Sequence, residues 1–170
     1  ELIDVLGGFK NLNLKGFFEE NISDSSYSVS GASLTALSKI DSILALNYAE
    51  KLSKFPSKGK LDAAINILLI AAGKEEIFEK LEEKFKSLEL SDEKFMMMQQ
   101  IGEMAGKMKN AERIKKAISI IILFRDEIPA QIKVQTDPYI NGFILGGLSK
   151  KLKDAGKIEL NSYLESEMKK

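Results

Sequence analysis

The sequence predicts an all-α chain of stacked antiparallel helix pairs, a right-handed HEAT-like α-solenoid. Three observations predict it. Apolar residues recur at helical spacing along most of the length, capping residues punctuate these stretches at short intervals, and a similar helix ending returns at the period of a helix-pair repeat.

The apolar stripes come first. Leu61, Ala64, Ile65, Leu68, Leu69 and Ala72 follow i, i+3, i+4, i+7, i+8 and i+11, one face of a helix. Ile67 and Ile70 add a second apolar face there. Ile77, Phe78, Leu81, Phe85 and Leu88 form the next stripe, opposite a Glu/Lys face. Phe95, Met98, Ile101 and Ala105 form another. Ile114, Ile118, Ile121 and Phe124 continue the series, with Ile120 and Ile122 added, and Leu160, Tyr163, Leu164 and Met168 close it. No stretch shows the alternation of a strand.

Punctuation divides the stripes. Ser91 before Asp92 and Glu93 reads as an N-cap with acids in the first turn, where they oppose the helix dipole. Asn110 reads as the next cap, and Asp24-Ser25-Ser26 precedes a further start. Asp137 before Pro138 reads as a cap followed by proline at the first helical position. Pro56 and Gly59 separate two helices. Short connections make neighbouring helices antiparallel.

The third observation is internal likeness. Tyr27–Lys39 echoes Tyr139–Lys150, and Ala72-Gly73-Lys74 and Ala105-Gly106-Lys107 end two helices between them. Lys39, Lys74, Lys107 and Lys150 lie 35, 33 and 43 positions apart. Helix-pair repeats have such periods, because one pair cannot bury its stripe without a neighbour. Ala-Gly-Lys also suits any helix C-terminus. The whole of 1–170 reads as a single helical-repeat domain, a fragment of a longer chain.

Composition narrows the function. With 44% hydrophobic and 29% charged residues the chain is rich enough to bury a core. It has no histidine, cysteine or tryptophan. A Ser-His-Asp triad, a Cys-His pair, a His-Glu-x-x-His zinc site and a cysteine cluster therefore have no residues to build them. Basic and acidic residues balance at 25 each, and only Arg113 and Arg125 are arginines. A nucleic-acid footprint is missing. The longest apolar run, Ala117 to Phe124, is too short to span a bilayer.

The remaining candidates have structural readings. Met96, Met97, Met98, Met104 and Met108 share one helix, and three consecutive methionines must point to more than one neighbour, as core packing requires. Gly142, Gly146 and Gly147 read as a surface for close helix approach. Glu75, Glu76, Glu79, Glu82 and Glu83 alternate with lysines, and Glu76/Lys80 and Glu82/Lys86 have the i,i+4 spacing of a solvated face. Arg113 and Arg125 suit ion pairs between helices or contact with a partner, and structural pairing is the default reading. No position is assigned as catalytic, cofactor-binding or metal-ligating.

Three segments carry a family resemblance: Asp24 to Asp41, Ala45 to Leu52 and Lys58 to Ile65. They resemble the C-terminal HEAT-like helical region of bacterial zinc aminopeptidases of the aminopeptidase N type, especially those of Bacteroidetes-like bacteria. The likeness runs over most of the chain and is strongest between about residues 1 and 75. It implies a non-catalytic domain that packs on a zinc-bearing catalytic domain of the same parent chain and shapes access to its active site. Neither His-Glu-x-x-His nor Gly-x-Met-Glu-Asn occurs here, so no zinc or substrate residue carries over and zinc belongs to the parent's other domain. Asn141 stands where related repeats often carry arginine, which argues against contact with a substrate carboxylate. The N-terminal stretch Glu1 to Gly8, followed by Phe9, Leu12, Leu14, Phe17 and Phe18, begins inside an apolar pattern and implies a covering element. Glu165, Glu167, Lys169 and Lys170 give the other end a polar finish. The alternative is a free-standing helical scaffold that binds another protein. An uncharacterised enzyme is disfavoured by the missing nucleophile, base and metal sets.

Overall fold

The computed structural model of the protein describes residues 2–169, and those residues are helical throughout, with no strand among them. The stretch read as one domain forms two compact units, 1–72 and 73–170.

The first unit contains α1 (Leu2–Gly8), α2 (Lys15–Ile22), α3 (Tyr27–Ser38), α4 (Ser42–Leu52) and α5 (Gly59–Ala71). Helix α3 is its hub, packed against the other four. Its sequence explains the position. Ser30, Gly31, Ala32, Ser33, Leu34, Ala36 and Leu37 are all buried, and most are small enough to admit neighbours closely. Where Gly31 lacks a side chain, the backbone of Lys60 and Leu61 occupies the space. Gly7 of α1 approaches Ala36 in the same way, where a Cβ would lie 2.6 Å from the alanine methyl. The Ser30 hydroxyl donates to the Ile22 carbonyl at 2.5 Å and ties α3 to the end of α2. Asp41 caps α4 through the Leu44 N–H and pairs with Lys15 at 2.8 Å.

In α5 the predicted stripe is buried at Leu61, Ala64, Ile65 and Leu69. The expected second face is only half right: Ile70 is buried, but Ile67 is 54% exposed.

The second unit contains α6 (Phe78–Ser87), α7 (Asp92–Ala105), α8 (Ala111–Glu127), α9 (Ala130–Asp137), a π-helical segment (Pro138–Leu145), α10 (Gly146–Asp154) and α11 (Ile158–Met168). Gly73 adopts φ +69°, which glycine tolerates, and so ends the preceding helix where expected. Ser91 and Asn110 cap α7 and α8 as predicted, accepting from the N–H groups of Lys94 and Arg113. Helix α8 packs on α7, α11 and the π-helical segment. It buries Ile114, Ile118, Ile120, Ile121, Ile122 and Phe124, which accounts for apolar residues on more than one face.

The contacts of this unit have a register. At the start of α6 and α8, Glu79 meets Arg113 at a separation of 34 positions. Between α8 and α11, Ser119 meets Tyr163 at a separation of 44, and Arg125 meets Met168 at 43. Between α7 and the later helix, Phe95 meets Tyr139 and Gly102 meets Ile144. Positions rise together between α8 and α11 and between α7 and the later helix, so the two helices of each of these pairs run parallel.

The reading of Asp137 and Pro138 is corrected. Asp137 is helical (φ −59°, ψ −44°) and makes no capping bond. The chain continues from α9 through Pro138 into the π-helical turns and on into α10 without a break. Proline removes one helical N–H, and wider hydrogen bonding takes over after it. The Gly146 N–H, for instance, donates to the Asn141 carbonyl five residues back.

Candidate functional site

The continuous helix 130–154 lies beside α7, and between them runs an open groove of about 600 Å³. Glycine makes the groove. On α7, Gly102 and Gly106 sit one turn apart and let the later helix approach. A Cβ on Gly102 would lie 2.8 Å from Ile144 Cγ2, and one on Gly106 would meet the Lys151 stem. Across the groove, Gly142 and Gly147 face open space and leave its wall low.

Close approach was expected of Gly142, Gly146 and Gly147, and this is corrected. Only Gly146 has a near neighbour, the Asn141 carbonyl at 3.3 Å. The small-residue surface belongs to α7. The four-residue spacing of Gly102 and Gly106 was the signal for it in the sequence.

One end of the groove is aromatic. Tyr139 and Phe143 stack at 5.1 Å with 21° between their planes, and Phe143 is 68% exposed. Behind them Phe95, Phe124 and Phe85 continue a series of ring contacts into the core. Stacking on a buried ladder holds the outermost ring in place although one face is wet. Along the α7 side stand Gln99, Gln100 and Glu103. Glu103 is paired with Lys107 at 2.9 Å. Among the described residues, the carboxamides of Gln99 and Gln100, the Tyr139 hydroxyl and the Lys151 ammonium have no hydrogen-bond partner. The groove therefore offers two donor–acceptor amides, a hydroxyl, a cation and an aromatic face.

The methionines divide as core packing predicts. Met97, Met98, Met104 and Met108 are buried, and Met96 is exposed. Both arginines are structural. Arg113 grips Glu79 with Nε at 2.8 Å from Oε1 and a terminal nitrogen at 3.2 Å from Oε2. That guanidinium holds the Glu79 carboxyl below its ordinary value. Burial acts to raise Glu75, but the N–H groups of Lys109 and Asn110 outweigh it and the carboxyl lies below its ordinary value. Arg125 is buried and donates to Asp126, to the Asn141 side chain and to the Met168 carbonyl. Lys86 pairs with Glu82 at 2.6 Å, the expected i,i+4 pair. Asn141 thus serves Arg125 and is only half-buried.

In the first unit, Leu2 and Val5 on α1 and Phe9 in the turn that follows it are 69%, 59% and 72% exposed. Leu12 follows at 71%. By contrast Phe18, in the same apolar run, is fully buried.

Among the described residues no cluster of His, Cys, Asp or Glu is placed to hold a metal ion, and no helix is long and apolar enough to cross a membrane. No family model, curated protein or solved structure matches the chain.

Proposed function

We propose that this chain acts by docking rather than by catalysis, as a HEAT-like helical domain of a zinc aminopeptidase that packs on the catalytic domain and shapes access to its active site. The observation that carries the docking reading is the exposed apolar row Leu2, Val5, Phe9 and Leu12. Several large apolar side chains exposed so close together in the chain are unusual on a surface that nothing covers, and large exposed apolar patches mark interaction sites. The parallel register of helices in the second unit supports a repeat architecture, whose usual work is to present binding faces. The identity of the partner rests on the resemblance at Asp24 to Asp41, Ala45 to Leu52 and Lys58 to Ile65. A domain placed at an entrance acts on substrate access and size selection, not on bond cleavage.

The test has two arms. The reading frame upstream of Glu1 is sequenced, and His-Glu-x-x-His is expected there; a frame without it overturns the aminopeptidase reading and leaves the free-standing scaffold. In the full-length protein, the triple variant Leu2→Ser, Val5→Ser, Phe9→Ser is then assayed on peptides of increasing length. A changed KM and length preference with zinc retained is the expected result. Unchanged kinetics at every length rejects the access role.

A further inference from the structure

We propose that the groove between α7 and the helix 130–154 binds an extended peptide segment bearing a large apolar side chain and, about four residues along, a carboxylate. This rests on the reading of the chain as a binding domain, but it concerns the second unit and a partner of its own chemistry.

The charges point to an anion. Glu103 is already neutralised by Lys107, whereas Lys151 reaches the groove with no acidic partner among the described residues. Its stem lies across Gly106, in space that any other residue would fill. The glycine therefore lets the stem lie against the end of α7, while the residue stays exposed and its charge open to a ligand. The nearby C-terminal carbonyls of α7 favour a cation there, yet none accepts a bond from it. A peptide carboxylate supplies the missing acceptor.

The apolar end fixes the second requirement. Phe143 is exposed but held by Tyr139, so its ring offers a firm surface at small entropic cost. From Phe143 to Lys151 the helix rises roughly 12 Å. An extended chain covers that length in about four residues at ~3.3 Å each. Between the two ends, Gln99 and Gln100 present free carboxamides, each both donor and acceptor. A peptide main chain presents the same two groups at every residue, and the low wall at Gly142 and Gly147 lets it come close.

The probe is a fluorescein-labelled pentapeptide with phenylalanine at one end and aspartate at the other, made in both chain directions. It is compared with the same peptides carrying lysine for aspartate, by anisotropy on the full chain. In one direction the aspartate peptide should bind about tenfold tighter, the size of one charge-assisted hydrogen bond. Lys151→Glu should reverse that preference. Gly147→Phe should abolish binding by filling the groove, with Gly142→Gln as a second blocking variant if the first loses helical circular dichroism. Binding unaffected by Lys151→Glu, or no saturation by any of the peptides at millimolar concentration, overturns the proposal. Because the probes and variants leave Leu2, Val5 and Phe9 untouched, failure here does not reject docking through α1, and failure of that docking does not reject the groove.

Discussion

Two stretches of this chain share an order of residues and differ in fate. Tyr27–Lys39 and Tyr139–Lys150 both run from a tyrosine through small and apolar residues to Leu-Ser-Lys. The first forms regular α3, surrounded by four helices, with even Ser30 and Ser33 buried. The second begins in π-helical turns, buries Ile140, Ile144, Leu145 and Leu148 on one side, and leaves Gly142 and Phe143 exposed on the other. Small residues in α3 are filled by neighbouring backbone, and those in the later helix border a groove. The same kind of residue serves contact in one place and access in the other, according to how many helices surround it.

The sharpest way to break this comparison is a methyl group at each site. Gly31→Ala sets a Cβ against the backbone of Lys60 and Leu61, which cannot rotate away. It should cost more than about 3 kcal/mol in chemical denaturation, enough to unfold the first unit of a marginal protein. A loss below about 1 kcal/mol would mean that α3 and α5 separate easily.

Arg125→Ala comes next. It removes a hydrogen bond to the neighbouring Asp126 and two that join α8 to the π-helical segment and to the end of α11. A loss of roughly 2–3 kcal/mol is expected, the value of bonds from a buried charged donor. Thermal unfolding followed by circular dichroism measures it, and an unchanged midpoint would leave the later helix held by apolar packing alone.

Gly147→Ala should act in the opposite sense to Gly31→Ala. Nothing lies near its Cβ, and alanine in a helix interior is favoured by about 0.5–1 kcal/mol. The same denaturation experiment should show a small gain. A loss would show that the groove wall is closer than it stands here.

The smallest expected effect is on pH dependence. The folded-state values of Glu75 and Glu79 lie below the ordinary 4.5, so both favour folding above that pH and lose this contribution as pH falls through the lowered values. The Glu79 side chain is 55% exposed, so solvent screens its pair with Arg113 and well under about 1 kcal/mol is expected from it. Glu79→Gln should slightly flatten the acid limb of the stability curve in the second unit's transition and leave the neutral plateau nearly unmoved. An unaltered acid limb would make the pair a contact without linkage.

Much of the helical pattern was legible before any coordinates. Ser91 and Asn110 cap where their side chains can reach an N–H three residues on, and the stripes of α6 and α8 are buried as their period requires. The errors fall where a local signal meets a tertiary condition. Asp137-Pro138 carries the chemistry of a helix start, but Ile140, Ile144 and Leu148 are worth more buried along one continuous helix, and the π-helical turns absorb the missing N–H. Ile67 has the same character as Ile70, yet no helix within its unit covers it. Around the groove, the glycines that permit close approach are those with a neighbour opposite, Gly102 and Gly106.

Residue chemistry within a few positions decides where each helix begins and ends and which side is apolar, because caps, dipoles and the 3.6-residue period act over one or two turns. It also withholds histidine and cysteine, and with them the common catalytic and zinc-binding sets. Which apolar side is covered, whether a glycine lies against a neighbour or opens a groove, and where Lys151 and Phe143 stand relative to α7 depend on contacts 34 to 44 positions apart. These were settled by packing, since a residue's neighbours in space are set by every other helix competing for the same buried surface.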